Sequence, residues 1–302
     1  MLGKHIALMP WYINMSLDIM INKCFREFLG IIFYLWYCLF GKQENILSLY
    51  FHNPSESLFE KIIQSLYKMG YRFVSLDEFI SELSSPIEMK TQGRIAFVSF
   101  DDGWRNNLKL IPIMEKYHVP MTLFVSTEPI QSGNYWWEYP LAYRGLNYVN
   151  SLKKLSRKDF LTEVARCKIL VDIERSAITE DELYRFAQHP LVDIQSHTHT
   201  HPILTICPPD ILEYELVYSR SYLETFLHKP VKVFSYPNGS FSQDVIDGVK
   251  KAGYKYAFTT EATSIEDWDG DWLRIPRRSI NDGGGLYENM SKVFGVWQRV
   301  FK

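Results

Sequence analysis

Residues 94–103 read RIAFVSFDDG, a mostly apolar strand-like run that passes without interruption into two adjacent carboxylates and a glycine. An apolar run of this length suits a strand covered on both faces, as parallel sheets require. Asp101 and Asp102 then stand at the carboxyl end of that strand, where the loops of parallel α/β folds gather their ligands. Two neighbouring carboxylates sheltered by such a sheet are costly unless something offsets their desolvation. A bound cation would do so for one of them, and the pair could then divide into a metal ligand and a general base. A solvated turn that uses Gly103 for its permissive backbone is the plain alternative.

Outward from this stretch, apolar runs alternate with helical patterns. Strands are expected at ILSLYF (46–51), MTLFVS (121–126), LVDIQS (191–196), VKVFSY (231–236), YAFTT (256–260) and WLRIP (272–276). Helical patterns fill Ser57 to Met69, Trp104 to Tyr117, Pro209 to Leu227 and Ser242 to Ala252, with Ser242 as a starting cap and Gly70 and Gly253 just past two helix ends. The alternation is that of an α/β fold with parallel strands. It breaks at about 128–189, which reads as an insertion holding NYWWEYPLAYRGL and charged helical stretches. Trp136, Trp137, Tyr139 and Tyr143 there would form either a substrate wall or a small satellite core. The chain divides into an appendage of helical character at 1–44 and a body at 45–302, with no internal repeat.

A second strand end carries His197-Thr198-His199-Thr200-His201, three of the chain's eight histidines. His197 and His201 can converge on one ion if the segment takes a helical turn, whereas His199 would point elsewhere. Two imidazoles and a carboxylate, with positions left for water, make an open site for zinc or a similar divalent metal. At a third strand end, Phe234-Ser235-Tyr236-Pro237-Asn238-Gly239 shapes a tight turn in which the Tyr236 backbone N–H could serve an oxyanion.

SFDDGW, SHTHTH and FSYPNG, in that order, resemble the NodB-type polysaccharide deacetylases, the carbohydrate esterase 4 family, over roughly residues 46–280. The resemblance implies a distorted (β/α) barrel, with the N-terminal helical appendage and the mid-chain insertion added to it, and a divalent metal, usually zinc. It implies that Asp101 is the general base, that Asp102, His197 and His201 hold the metal, and that the Tyr236 amide stabilises the tetrahedral oxyanion. Where many members carry an arginine early in the third motif, this chain has Phe234-Ser235, and Arg277 in RIPRRSI is the candidate to steady the base. No histidine follows His228 to match the late family acid, so His52, at the end of the first expected strand, is the candidate acid. His5, His118, His189 and His228 are expected to take no part. The implied reaction is hydrolysis of an N-acetyl or other acyl group on a hexosamine of a glycan or envelope precursor. Deacylation of a small non-carbohydrate amide, or metal-retaining carbohydrate binding without catalysis, are the rival readings.

Composition agrees with an enzyme-sized globular body: 302 residues, 46% apolar and 23% charged. A net charge of −2 with both signs scattered along the chain argues against a nucleic-acid partner. The aromatic share, 15%, is high enough to line a carbohydrate groove as well as a core. Cys24, Cys38, Cys167 and Cys207 form no metal-ligand spacing and are expected to be buried and reduced. The apolar stretch Phe28 to Phe40 is shorter than the ~20 residues of a spanning helix and does not read as a cleaved signal. With Ile13, Leu17, Ile21, Phe25 and Phe28 at near-helical spacing upstream, the segment reads as an amphipathic helix that either lies on a membrane or packs on the body. Those features suggest a cytoplasmic protein, or one peripheral at the cytoplasmic membrane, that meets an acylated amino-sugar glycan or a lipid-linked or nucleotide-linked sugar.

Overall fold

The structure, a computed structural model, describes residues 10–85 and 93–301, with side chains from residue 22 onward. His5 and the side chains of Ile13, Leu17 and Ile21 lie outside those described residues. From the amino end, helix α1 (Pro10–Phe40) leads to β1 (Ile46–Phe51), α2 (Glu56–Lys68), β2 (Tyr71–Val74), α3 (Leu76–Ser84) and β3 (Arg94–Phe100). A 3-10 turn at Arg105–Leu110, α4 (Ile111–Tyr117) and β4 (Met121–Val125) come next. The insertion then supplies α5 (Thr127–Ser132), α6 (Glu138–Arg144), α7 (Leu146–Leu152), α8 (Arg157–Leu170) and α9 (Glu180–Ala187). The alternation resumes with β5 (Val192–Ser196), α10 (Pro209–Leu227), β6 (Val233–Ser235), α11 (Gln243–Lys251), β7 (Tyr256–Phe258) and β8 (Arg278–Ser279), and ends in α12 (Leu286–Val293) and α13 (Val296–Val300).

All strand pairings are parallel, in the order β7-β6-β5-β4-β3-β1-β8, with β2 on the lower half of β3. The sheet curls into a half-barrel. Along β1 and β3 alternate residues serve two different cores, as the period of a strand demands. Leu47, Leu49, Phe51, Val98 and Phe100 pack outward under the helices, while Ile46, Ile95 and Phe97 join Phe124, Phe258 and Ile275 inside the curl. Phe51, Phe59 and Phe100 are fully buried against one another, each worth about 1.5–3 kcal/mol of transfer free energy. Both faces are covered, which is why these strands read as unbroken apolar runs.

The expected strand WLRIP is corrected. Ile275 makes a single parallel bridge to Phe258, and the regular pairing falls on Arg278 and Ser279 beside Leu49 and Tyr50. Pro276 stands between, with no N–H to donate to a ladder. The segment therefore spans from β7 to β1 in two short contacts, and Arg277 sits at that seam, pointing into the curl. The helix expected from Trp104 opens instead as a 3-10 turn and becomes α-helical only around Pro112, which sits in the first turn of α4 where a missing N–H costs nothing. β2 and α3 were not anticipated; α3 is opened by a capping box between Ser75 and Glu78.

α1 packs along α12 and α13. Its Gly30 lets the two backbones touch, since a Cβ there would lie 2.2 Å from the Glu288 nitrogen. Tyr37 stacks on Phe294 at 4.1 Å, and the Glu27 carboxylate accepts the N–H groups of Tyr287 and Glu288 at the start of α12. The outward side of α1 is apolar and exposed at Phe25, Phe28, Ile32, Leu35, Trp36, Leu39 and Phe40. Cys24 and Cys38 are exposed there too, contrary to expectation, because they face away from α12; Cys167 is buried and Cys207 half-buried, and all four are free thiols.

Candidate metal centre

The parallel strands put the carboxyl ends of β1, β3, β5 and β6 at one edge of the sheet, so that His52, Asp101, His197 and Tyr236 all follow strand ends there, staggered by the register. Asp102 turns back sharply, with φ 77°, a left-handed conformation that aspartate tolerates. Gly103 follows at φ 99°, where a Cβ would crowd Val125 at 3.1 Å. That turn aims Asp102 Oδ1 at the imidazoles: His197 Nε2 lies 3.4 Å away and His201 Nε2 3.3 Å. The ligand atoms of the three residues lie within 4.8 Å of one another and all three side chains are buried.

His197 and His201 do not converge through a helical turn, as the spacing had suggested. Residues 197–203 form a loop in which Thr198 and His201 both take positive φ, 71° and 55°. Glu215 on α10, itself buried, holds this loop by accepting the N–H groups of His199 and Thr200 and the Thr200 hydroxyl at 2.9, 2.8 and 2.6 Å. His197 Nδ1 lies 2.8 Å from the Ser235 carbonyl, which fixes its proton on Nδ1 and leaves Nε2 as an electron-pair donor. Trp104 Nε1 donates to Asp102 Oδ2 at 2.9 Å, orienting that carboxylate. Asp102 Oδ1 is buried and hydrogen-bonds to nothing among the described residues. An orphaned carboxylate oxygen facing two ring nitrogens fits a divalent cation. His199 takes no part in the cluster; its Nδ1 meets the Thr127 hydroxyl at 2.8 Å.

Asp101 belongs to a different arrangement. Arg277, fully buried, grips both its oxygens at 2.8 Å and also donates to the hydroxyls of Ser99 and Ser235 and to the Thr259 carbonyl. The Tyr50 ring lies 4.5 Å from the guanidinium. Burial would push the Asp101 carboxyl up, but Arg277 outweighs it and holds the group below the usual carboxylate range. Burial opposes ionisation of Asp102 as well, yet the flanking imidazoles hold it well below that range. Burial also pushes His201 below the ordinary imidazole value, so it is neutral at pH 7, as a ligand must be.

These groups form the floor of a cavity of about 340 Å³. Trp136, Trp137 and Val149, from the insertion, line the cavity and also close a small core with Leu152 and Val164, whereas Tyr139 and Tyr143 belong to neither. Lys153, Asn238 and Thr260 form a polar rim. His52 lines the cavity too, its Nδ1 3.9 Å from Asp282 Oδ2, while its own N–H donates to the same oxygen at 3.2 Å. His118, His189 and His228 lie away from it. A larger hollow of about 600 Å³ between α10 and α11 holds no such ligand cluster among the described residues.

The Tyr236 assignment is corrected. Its N–H donates to the Phe258 carbonyl at 3.1 Å within the sheet, and its hydroxyl to the Leu273 carbonyl at 3.0 Å, so neither faces the cavity. Asn238, two residues on and at φ 55°, is the part of that turn that reaches the rim. The sequence reading also passed over Trp104, Lys153, Glu215 and Asp282. Of these only Trp104 carried a signal, as the residue following the acidic turn.

A family model described as polysaccharide deacetylase matches residues 88–257, more than half of the chain. The poly-β-1,6-N-acetyl-D-glucosamine N-deacetylase of Staphylococcus epidermidis is 26% identical over 240 residues, covering 76% of this chain and 69% of that protein. The enzyme of the same name from Staphylococcus aureus strain MRSA252 is 25% identical over 232 residues, with the same coverage. Among solved structures, IcaB from Ammonifex degensii superposes with a TM-score of 0.62 at 17% identity, over 85% of this chain and 98% of that one. The Streptococcus pyogenes deacetylase PplD in complex with acetate gives 0.60 at 18% identity, over 83% and 99%. Both share the curled parallel half-barrel.

Proposed function

This chain belongs to the polysaccharide deacetylase family, and we propose that its substrate is a β-1,6-linked polymer of N-acetylglucosamine, from which it releases acetate. The family's deacetylases use a divalent metal. The observation that carries the reading here is the Asp102–His197–His201 cluster lying beside an arginine-clamped Asp101 on the floor of one aromatic-walled cavity. Two relatives named for that polymer support the choice of substrate, and the tryptophan wall opposite a polar rim suits the two faces of a pyranose.

Asp102, His197 and His201 would hold the metal, and two nitrogens with one carboxylate favour zinc. When bound, the metal supplies Lewis acidity to the acetamide carbonyl and the attacking water. Asp101, ionised and fixed by Arg277, takes the proton of that water as it adds to the carbonyl carbon. Cleavage of the C–N bond then needs a proton on the departing amine. His52, which lines the cavity beside Asp282, would supply it. The products are acetate and the free amino sugar.

The test is metal content measured together with acetate release from N-acetylglucosamine oligomers. Asp101→Asn should keep its metal and lose about 10²–10⁴-fold in kcat; His197→Ala should lose metal and activity together. Turnover confined to small acetamides, or a metal-loaded protein without turnover, would overturn the substrate reading.

We also propose that the outward face of α1 rests on the cytoplasmic membrane, making the enzyme peripheral there. Leu39 and Phe40 are 74% and 71% exposed, and with Phe25, Phe28, Ile32, Leu35 and Trp36 they make a continuous apolar surface that Val300 and Phe301 extend. Lys23 and Arg299 are exposed near it, and suit anionic headgroups. No helix of the described residues is long and apolar enough to cross a membrane. Intact protein should float with vesicles containing anionic lipid, and Phe28→Asp with Leu35→Asp should release it; intact protein left wholly in solution would overturn the placement.

A further inference from the structure

The hydrolysis proposed above changes the charge of its own substrate, since each cut turns a neutral acetamide into an ammonium group at pH 7. What that ammonium meets is decided by Lys153. It stands at the end of α7, on the insertion, and reaches across the cavity so that Nζ lies 3.3 Å from Asn238 Oδ1 on the far rim. No carboxylate of the described residues pairs with it, and the half-burial of its side chain pushes its ammonium below the usual lysine range. The carboxylates on the floor are already engaged, Asp101 by Arg277 and Asp102 by the metal-ligand cluster. Asp282, beside His52, is the remaining acid nearby, and burial pushes it towards its neutral form.

The same sign continues outside. Trp104 is shared between this cavity and a neighbouring hollow of about 410 Å³ lined by Arg105, Lys109 and Arg175. Glu182 neutralises Arg105, but Arg175 spends its donors on the Ile130 and Gln131 carbonyls and Lys109 is exposed without a carboxylate partner among the described residues. A chain lying along both hollows passes from one unneutralised cation to the next.

We propose that Lys153 is a specificity-determining residue that rejects amino sugars already deacetylated, so that the enzyme selects a target whose neighbours still carry acetyl groups and spaces its cuts along the polymer. This inference rests on the acetyl-glycan reading above. Two like charges several ångströms apart in a cleft of intermediate dielectric disfavour binding by about tenfold, and added salt weakens that effect.

The experiment compares kcat/KM of the metal-loaded enzyme on a fully acetylated β-1,6 tetramer with that on tetramers carrying one glucosamine on either side of the target, by mass spectrometry of the products. The wild type should prefer the fully acetylated chain by about tenfold, with the preference shrinking as salt is raised. Lys153→Arg should keep the preference, Lys153→Gln should bring it within about twofold, and Lys153→Glu should reverse it. Wild-type enzyme that cuts all tetramers equally, or a preference unchanged in Lys153→Glu, would overturn the charge filter and leave the deacetylase reading standing. Failure of the wild type to release acetate from any tetramer would overturn the substrate reading and this inference together.

Discussion

Asp101 stays ionised in a fully buried position because Arg277 meets both of its oxygens, and a lysine could not reproduce that two-point grip. Arg277→Met leaves a buried carboxylate without its charged partner, with the Ser235 hydroxyl still near it at 3.4 Å, a change that costs about 3–5 kcal/mol and shows as a lowered thermal midpoint. In the protein that remains folded, the Asp101 carboxyl rises, so the acid limb of the pH profile of kcat/KM moves to higher pH. An unmoved acid limb would mean that Asp101 is not the base. The floor of the site was legible because Asp101, Asp102, His197 and His201 sit in two short motifs whose spacing is unusual without a metal. Arg277 was legible only through resemblance. Lys153, Asn238, Asp282 and Glu215 were not, because single polar residues in helices and turns look alike until the chain folds. The amide of Tyr236 misled for a related reason: the sequence places it at a strand end but does not reveal that the neighbouring strand still claims its hydrogen.

The loop that carries both imidazoles has no secondary structure of its own and two residues at positive φ, so α10 must hold it from outside. Glu215 supplies three acceptor contacts to it from fully inside the protein. Glu215→Gln keeps the shape but replaces one carboxylate oxygen with a donor that the loop cannot use. Metal affinity should fall about 10–100-fold, as for other losses behind a ligand, with the circular dichroism spectrum unchanged; equal affinity in the variant would show that the loop holds itself. At this scale the fold was readable where strands are buried on both faces. β2, whose YRFV is short and carries an exposed arginine, escaped notice, and WLRIP looked like a strand until Pro276 split its pairing.

For the molecule as a whole, His199 and His201 are both pushed below the ordinary imidazole value by burial. The unfolded chain takes up protons at about pH 6.5 while the folded one resists, so their contribution to stability is complete above that pH and is lost as pH falls through the folded values. Chelator-treated protein should therefore melt at a lower temperature at pH 5 than at pH 7.5, and the metal-loaded protein should show a steeper decline, because protons and metal compete for His201. A flat profile in both forms would contradict the neutral, ligand-ready imidazole. The contact of Glu27 with the start of α12 reaches further than the helix pair it joins. The same stretch, Asn281 to Gly285, that enters α12 carries Asp282, which holds the backbone of His52. The outlying helix and the His52 side of the cleft are thus joined through one stretch of chain. If α1 rests on a lipid layer as proposed, the search for substrate would be confined to two dimensions, and the cleft would be presented at a fixed height and tilt to a strand of glycan emerging from that layer.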